Sequence, residues 1–123
     1  MKYVVLIYSN AESREIWQRF SETDRGAGLA QYARFDDELE ASGELVVSQA
    51  LADHSTAKRV RVHDGRTLTT DGPFAEAKEH LAGFYLLDVA SEDRAIEIAA
   101  RVPEAALGLV EVRPVRSLDL AEW

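Results

Sequence analysis

The stretch from Thr69 to Val89, TTDGPFAEAKEHLAGFYLLDV, joins a turn to a long apolar segment. In the turn Asp71-Gly72-Pro73, glycine permits unusual dihedral angles and proline directs the chain as it leaves. Leu81–Val89 is apolar at most positions, which is typical of a strand buried on both faces. The stretch therefore predicts a long central strand that is entered through a rigid turn.

The elements before this stretch follow from their hydrophobic periodicity. Residues 3–8 form a second strand that is apolar on both faces. Ser9 and Asn10 can cap a short helix, which the glycines at 26–28 are expected to interrupt. A second helix over residues 28–42 would end at Gly43. The apolar sides of the two helices consist of Ile16, Trp17 and Phe20 in the first, and Leu29, Tyr32, Phe35 or Asp36, and Leu39 in the second.

A strand at 44–51 and a polar loop at 52–56 lead into a hairpin centred on Asp64-Gly65, the favoured dipeptide of a two-residue turn. This turn places Val62 opposite Thr67 and Arg61 opposite Leu68. After the central strand, Ser91 is expected to cap a helix that runs to about Arg101. A final strand, residues 109–113, stops at Pro114. The sequence predicts one domain over residues 1–116, followed by a tail at 117–123.

The predicted order is β-α-β-β-β-β-α-β, in which the hairpin is an addition. Without the hairpin the order is β-α-β-β-α-β, the split βαβ or ferredoxin-like pattern, with both helices on one face of an antiparallel sheet. The strands at 3–8 and 81–89 are apolar on both faces, so the helices leave an apolar sheet face uncovered. A second copy or a ligand must cover it, and we expect a homodimer in the form of a dimeric α+β barrel.

Composition excludes several classes of function. The chain has 123 residues, with 22 acidic and 14 basic side chains and a formal net charge of −8. Nucleic-acid binders need a basic patch, and Lys58-Arg59-Val60-Arg61 is too short to supply one. Without cysteine there is no disulfide or thiolate chemistry. A signal peptide and a membrane span are also missing from the pattern, so a cytoplasmic protein that binds no membrane is expected.

Asp71 is the candidate catalytic residue. A rigid turn could hold its carboxylate at the mouth of a cavity as a general acid or base, and a dry cavity would raise its pKa. The alternative is that Asp71 only forms the turn, as most turn aspartates do.

The residues after Asp71 are candidates for ligand binding. If they face the interior, Glu76 and Lys78 would orient a polar group, while Phe74 and Tyr85 would form an apolar wall; if they face solvent, the pair only opens the strand. Glu76 and His80 are too few ligands for a metal site. The glycines at 26–28 lack the dinucleotide fingerprint, so no cofactor is expected. Lyase or isomerase chemistry, with proton transfer beside a carbonyl or an aromatic ring, would suit such a cavity.

The run Asp71-Gly72-Pro73-Phe74-Ala75-Glu76-Ala77-Lys78-Glu79 resembles the motif of the DGPF-domain proteins, within the wider YCII-related superfamily. Only Ala77, where threonine is commoner, departs from it. The resemblance extends to about residue 115 through four further segments. These are residues 1–8, Val62–Arg66, Gly83-Phe84-Tyr85 and Val110–Pro114.

The resemblance implies a ferredoxin-like fold assembled as a dimeric α+β barrel, in a family mostly of unknown function. YCII-like enzymes pair a histidine on the first long helix with an aspartate, but residues 28–42 contain no histidine, so the pair is not carried over. Bacterial DGPF proteins are often encoded beside extracytoplasmic-function sigma factors. Two hypotheses follow: a small-molecule-binding homodimer with acid-base chemistry, or a non-enzymatic regulatory module that binds a protein partner.

Overall fold

A computed structural model describes residues 1–123 and shows a mixed α+β fold of six strands and three α-helices. The strands are β1 (Lys2–Ser9), β2 (Leu45–Ala50), β3 (Lys58–His63), β4 (Arg66–Asp71), β5 (His80–Asp88) and β6 (Val110–Pro114). The helices are α1 (Ala11–Arg19), α2 (Glu22–Ala41) and α3 (Glu92–Ala100). Short 3-10 turns lie at His54–Thr56, Pro103–Leu107 and Leu120–Glu122.

Four strands form one antiparallel sheet in the order β2-β5-β1-β6. β5 and β1, the two strands expected to be apolar on both faces, are its central pair. The hairpin β3-β4 is a separate two-stranded sheet. Its register pairs Val62 with Thr67 and Arg61 with Leu68, so the pairing predicted from the sequence is confirmed. Asp64 and Gly65 both have left-handed backbone angles (φ 49° and 72°), as the two-residue turn requires.

The core lies between one face of the sheet and the helices α2 and α3. Alternate residues of the central strands point into it, because successive side chains of a strand project to opposite faces. Those of β1 and β5 are Tyr3, Val5, Ile7, Tyr85 and Leu87, all buried. The helices contribute Phe35, Leu39, Ala95, Ile98 and Ala99.

The opposite face of the sheet, which we call the open face, has Val4, Leu6, Tyr8, Val47, Phe84 and Leu86 as its apolar and aromatic side chains, with Gln49, Glu111 and Arg113 on the outer strands. Val4 pairs with Leu86, and Leu6 pairs with Phe84, so these four side chains are neighbours across β1 and β5. None of the six is buried in the protomer. The expected uncovered apolar face is therefore present.

The helix ends follow local capping chemistry. Asn10 and Ser13 form a reciprocal capping box at the start of α1, and the side chain of Ser91 accepts a hydrogen bond from the Arg94 amide at the start of α3. Gly43, with φ 79°, follows the end of α2 as expected. No helix is both long enough and apolar enough to cross a membrane.

The start predicted for the second helix is wrong, because α2 begins at Glu22 and continues through the glycines at 26 and 28. The break lies instead at Phe20 and Ser21, where the Ser21 side chain accepts from the Asp24 amide. An N-cap and acidic residues in the first turn offset the roughly 1 kcal/mol that each interior glycine costs. Leu29, predicted to be buried, is 62% exposed.

Candidate functional site

An open cleft of about 530 Å³ lies where β1 ends, β6 begins and the loop before β5 passes. It is lined by Tyr8, Lys78, Glu79, Gly108, Leu109, Val110 and Glu111. Gly108 has a left-handed backbone (φ 72°) after the 3-10 turn, and the Tyr8 amide donates to the Leu109 carbonyl at 2.9 Å. The backbone therefore holds the start of β6 against β1, and the polar side chains line the opening.

Tyr8 and Glu111 form a hydrogen-bonded pair in this cleft. Glu111 pairs with Leu6 across β1 and β6, so its side chain lies on the same face as Tyr8, two residues along β1. The Tyr8 hydroxyl donates to the Glu111 Oε1 atom at 2.7 Å. This hydrogen bond, together with partial burial, raises the pKa of Tyr8 above its ordinary value. The phenol is therefore a hydrogen-bond donor at neutral pH.

Lys78 and Glu79 add one charge of each sign to the cleft wall. An ammonium can pair with an anionic group of a ligand, and the carboxylates of Glu79 and Glu111 can accept hydrogen bonds or protons. With the Tyr8 phenol, the cleft contains a cation, a neutral donor and two candidate bases. That set can bind a small polar molecule and move a proton on it.

Among the residues predicted from the sequence, Lys78 lines the cleft and Asp71 does not. Asp71 ends β4, and its carboxylate forms an ion pair with Lys58, opposite it in the hairpin. Both side chains are exposed. Gly72 has φ 86°, and its amide donates to the Ala57 carbonyl at 2.8 Å, which ties the motif to the base of the hairpin. Within one protomer, no cavity encloses Asp71.

The structure places Phe74 and Glu76 on the exposed loop between β4 and β5. Phe74 is 63% exposed, and the Arg59 guanidinium lies 4.5 Å from the centre of its ring. Cation–π contact of this kind contributes about 0.5–1 kcal/mol at exposed sites. The Phe74–Arg59 contact therefore holds the start of the loop against the hairpin, whose two ends are joined by the Asp71–Lys58 pair.

Tyr85 lies on the helix-covered face, away from the other predicted site residues. Its hydroxyl donates to the Asp36 carboxylate, and its ring meets Phe35 edge-on with 5.6 Å between ring centres. Burial, reinforced by Asp36, raises the pKa of Tyr85. No hydrogen bond or ion pair joins any two of Asp71, Glu76, Lys78 and Tyr85 in the protomer.

A second polar cluster lies beside Tyr85, where the Tyr32 hydroxyl donates to Glu104. Burial raises the pKa of Tyr32, and the hydrogen bond to Glu104 adds to the increase. A smaller cavity of about 130 Å³ opens next to it and is lined in part by Phe35 and Arg101. This cluster fastens α2 to the segment after α3.

His80, which directly follows the motif, stacks on His54. The two ring centres are 3.9 Å apart and the planes differ by 18°. No group of three or more histidine, aspartate or glutamate side chains is arranged to hold a metal ion.

Sequence reasoning does not identify Tyr8, Glu79 and Glu111 as site residues. For Tyr8 it favours core packing over the alternative of a hydroxyl that lines a pocket, and it does not single out Glu111. One signal is available, because Glu111 interrupts the apolar pattern of Val110 and Val112 and so must lie on the opposite face of β6. Which side chain it meets there depends on the pairing of β6 with β1, which local sequence does not specify.

The amino-acid sequence of the chain is similar to that of known proteins. The family model for the YCII-related domain matches residues 1–119. An uncharacterized protein of Rhizobium meliloti (strain 1021), R00369, is 34% identical over 117 residues, covering 94% of this chain and 92% of that protein.

Among solved structures, the chain is similar to the 5-chloro-2-hydroxyhydroquinone dehydrochlorinase of Burkholderia phenoliruptrix AC1100, in complex with 2,5-dihydroxybenzoquinone. That protein is 14% identical with a TM-score of 0.49, and the likeness covers 94% of each chain. The resemblance drawn from the motif is confirmed at the level of the superfamily by the family match. On the extent of that match and the identity to R00369, the chain belongs to the YCII-related domain family.

Proposed function

We propose that the protein is a homodimer that binds a small polar molecule in the cleft beside Lys78 and acts on it by proton transfer. The observation that carries this proposal is the Tyr8–Glu111 hydrogen bond, which opens into a cleft that Lys78 also lines. The Tyr8 phenol is a hydrogen-bond donor, the Glu111 carboxylate is a base, and the Lys78 ammonium can bind an anion. All three groups line the same cleft.

The chemistry would be of the lyase or isomerase type. Lys78 would pair with a carboxylate or another anionic group of the ligand. On binding, the Tyr8 phenol would turn its single O–H from Glu111 to a carbonyl oxygen of the ligand and stabilise the negative charge that develops there, which leaves the Glu111 carboxylate free to act as a base. Glu111 or Glu79 would take a proton from the adjacent carbon, and the same group would return it to a different carbon in an isomerisation.

Asp71 remains a proposed alternative acid or base for this reaction. Because one protomer leaves it exposed, it would reach a ligand only if a second protomer encloses the base of the hairpin. The proposed roles of Glu76 as an orienting group, and of Phe74 and Tyr85 as an apolar wall, depend on the same condition. Lys78 needs no such rearrangement, so it is the residue to test first.

A ferredoxin-like arrangement and a two-fold dimer form the structural part of the proposal. The strand order β2-β5-β1-β6, with a helical segment between β1 and β2 and another between β5 and β6, supports the ferredoxin-like pattern. The open face supports a dimer in which two sheets pack face to face, since a second copy would bury the half-exposed apolar side chains of Leu6 and Phe84. The cytoplasmic location stays a prediction.

The test is a titration of ¹⁵N-labelled protein with two probes, pyruvate and 4-hydroxybenzoate, followed by amide chemical shifts. We expect shifts in Lys78 and in residues 108–111, and a dissociation constant that is about tenfold weaker in Lys78→Ala, the loss of one charge-assisted contact. Lys2→Ala is the matched control, since it removes an exposed lysine at the other end of β1, outside the cleft. Equal affinities of the two variants would place the binding elsewhere.

A second variant separates the two proposed acid–base groups. Asp71→Asn should leave binding at the cleft unchanged if Glu111 or Glu79 is the base. If Asp71→Asn removes turnover of a bound substrate while the dimer persists, Asp71 is the acid or base. If it only lowers the melting temperature, Asp71 forms the turn.

The competing proposal is a non-enzymatic regulatory module that binds a protein partner, linked to an extracytoplasmic-function sigma factor. The observation in its favour is the exposure of the whole hairpin, including Val60 and Leu68. A pull-down from cells compares the wild type with a form that lacks residues 60–69. A partner that the wild type recovers and the shortened form loses would support this alternative.

A further inference from the structure

We propose that the hairpin β3-β4 of one protomer, which we call the arm (Lys58–Asp71), packs against the acidic body of a second copy of the chain. The inference rests on the proposed homodimer and adds a second contact to it, beyond the open face. The arm is joined by residues 72–79 to β5, which is a strand of that face.

The arm has little support from its own protomer. Every residue of β3 and β4 is exposed, and Val60 and Val62 are 66% and 68% exposed. An isolated two-stranded hairpin is marginally stable in water and needs packing against another surface. No part of the protomer covers Val60 and Val62, so only a surface outside the protomer could bury them.

The charge of the arm indicates that its partner is a second copy of the chain. The arm has four cationic side chains, Lys58, Arg59, Arg61 and Arg66, and two carboxylates, Asp64 and Asp71. Since the chain has 14 basic and 22 acidic residues, the rest of it has ten basic and twenty acidic residues. A basic arm therefore extends from a strongly acidic body, and each copy carries the complement of the other.

The register of the hairpin divides the arm into two sides. Arg61 pairs with Leu68 and His63 pairs with Arg66, so Arg61 and Arg66 lie on one side, while Val60 and Val62 lie on the other. Neither Arg61 nor Arg66 forms an ion pair within the protomer. Their guanidinium groups are free to pair with carboxylates of a partner.

The acidic body offers unpaired carboxylates. Glu22, Asp24, Asp37 and Glu40 of α2 are exposed and form no ion pair in the protomer. A nucleic acid is disfavoured as the occupant because the net charge of −8 repels phosphate. In a two-fold dimer each arm contacts the other body, so every pairing occurs twice.

The test is the dimer dissociation constant of three proteins, measured by analytical ultracentrifugation at the same salt concentration. The arm variant is Arg61→Glu with Arg66→Glu. The control is Arg19→Glu with Arg116→Glu, which changes the net charge by the same amount at two sites outside the arm. Long-range repulsion between protomers is then equal, so a difference reports the position of the charges. Circular dichroism verifies that all three are folded.

We expect the arm variant to dimerise about tenfold or more weakly than the control, because each reversed arginine counts twice. Amide hydrogen exchange gives a second measure: residues 60–62 and 67–69 should be protected in concentrated wild-type protein and lose that protection on dilution.

Equal dissociation constants for the arm variant and the control, without protection of the arm, would overturn the inference and leave the open-face dimer intact. A wild type that stays monomeric at all concentrations would overturn the inference and the proposed dimer together. Loss of a different protein partner by the arm variant, with dimerisation equal to that of the control, would assign the arm to that partner and also overturn the inference.

Discussion

Glu44 and Arg94 join the start of β2 to the first turn of α3 by a bidentate ion pair. The Arg94 Nε and Nη2 atoms donate to the two carboxylate oxygens of Glu44, each at 2.8 Å. The hydrogen bonds from Arg94 hold the pKa of Glu44 below its ordinary value, against the smaller, opposite effect of burial. Two segments that are far apart in the chain, residues 44 and 94, are thereby held together.

The direction of this pKa shift predicts how stability depends on pH. A carboxylate whose pKa is lower in the folded state stabilises the fold above its unfolded pKa of about 4.3, and the contribution is lost as pH falls through the folded pKa. Glu44→Gln should lower the free energy of unfolding by about 1 kcal/mol at pH 7, or Tm by about 3–5 °C. The difference from wild type should vanish towards pH 2.

Thermal melting from pH 2 to pH 7 measures this dependence. Glu97→Gln is the matched control, because Glu97 pairs with the same arginine but its side chain is 67% exposed, and its loss should cost less than about 0.5 kcal/mol. A Glu44→Gln deficit that stayed constant down to pH 2 would show that the carboxylate charge is not its source.

At the scale of the element, Gly83 allows β5 and β2 to approach closely. A Cβ atom built on Gly83 would lie 2.9 Å from the backbone carbonyl oxygen of Gln49. The contact is with backbone of a paired strand, so neither partner can move without disturbing the register of Ala50 opposite Gly83. Glycine is required here by space, since no positive φ is involved.

Gly83→Ala should therefore destabilise the fold by about 1–3 kcal/mol, as overpacking usually does. Gly26→Ala is the control, because Gly26 is inside α2 and no atom lies within 4 Å of the position that the added methyl group would occupy. That change should stabilise the fold by about 0.5–1 kcal/mol through helix propensity. Urea unfolding measures the free energy of unfolding of both variants. A Gly83→Ala variant as stable as the wild type would mean that β2 can shift without a loss of stability.

The hairpin and α2 show where the local sequence is sufficient to predict the structure and where it is not. The Asp64-Gly65 turn fixed the hairpin and its register, because only one turn geometry suits that dipeptide between two strands. The start of α2 differs from the prediction because the Ser21 cap and the acidic first turn outweigh the low helix propensity of two glycines. Propensity is a weak influence on structure compared with capping and packing.

For the whole molecule, the open face predicts the state of association. Phe84 is half-buried in the protomer, next to Leu6, and would be fully buried between two sheets. Phe84→Asp should leave a folded protomer and weaken dimerisation by about a hundredfold or more, since a charge cannot be buried there without a partner. Sedimentation velocity measures the change.

Ile96→Asp is the control for this substitution, because Ile96 is apolar and 50% exposed on α3, away from the open face. It should dimerise like the wild type. If Phe84→Asp has the same dissociation constant as Ile96→Asp, the open face is not the interface.

The strands, the ends of α2 and α3, the central pair and the uncovered apolar face follow from the amino-acid sequence, because periodicity, turn chemistry and caps are local properties. The motif from Asp71 to Glu79 also indicated the family. Outside the hairpin, the side chains that contact one another follow from the three-dimensional fold. It placed Tyr85 beneath the helices, Asp71 on the hairpin and Lys78 in a cleft with Tyr8 and Glu111. The cleft depends on the pairing of β1 with β6, since Tyr8 and Glu111 are 103 positions apart in the chain, and no local pattern specifies that pairing.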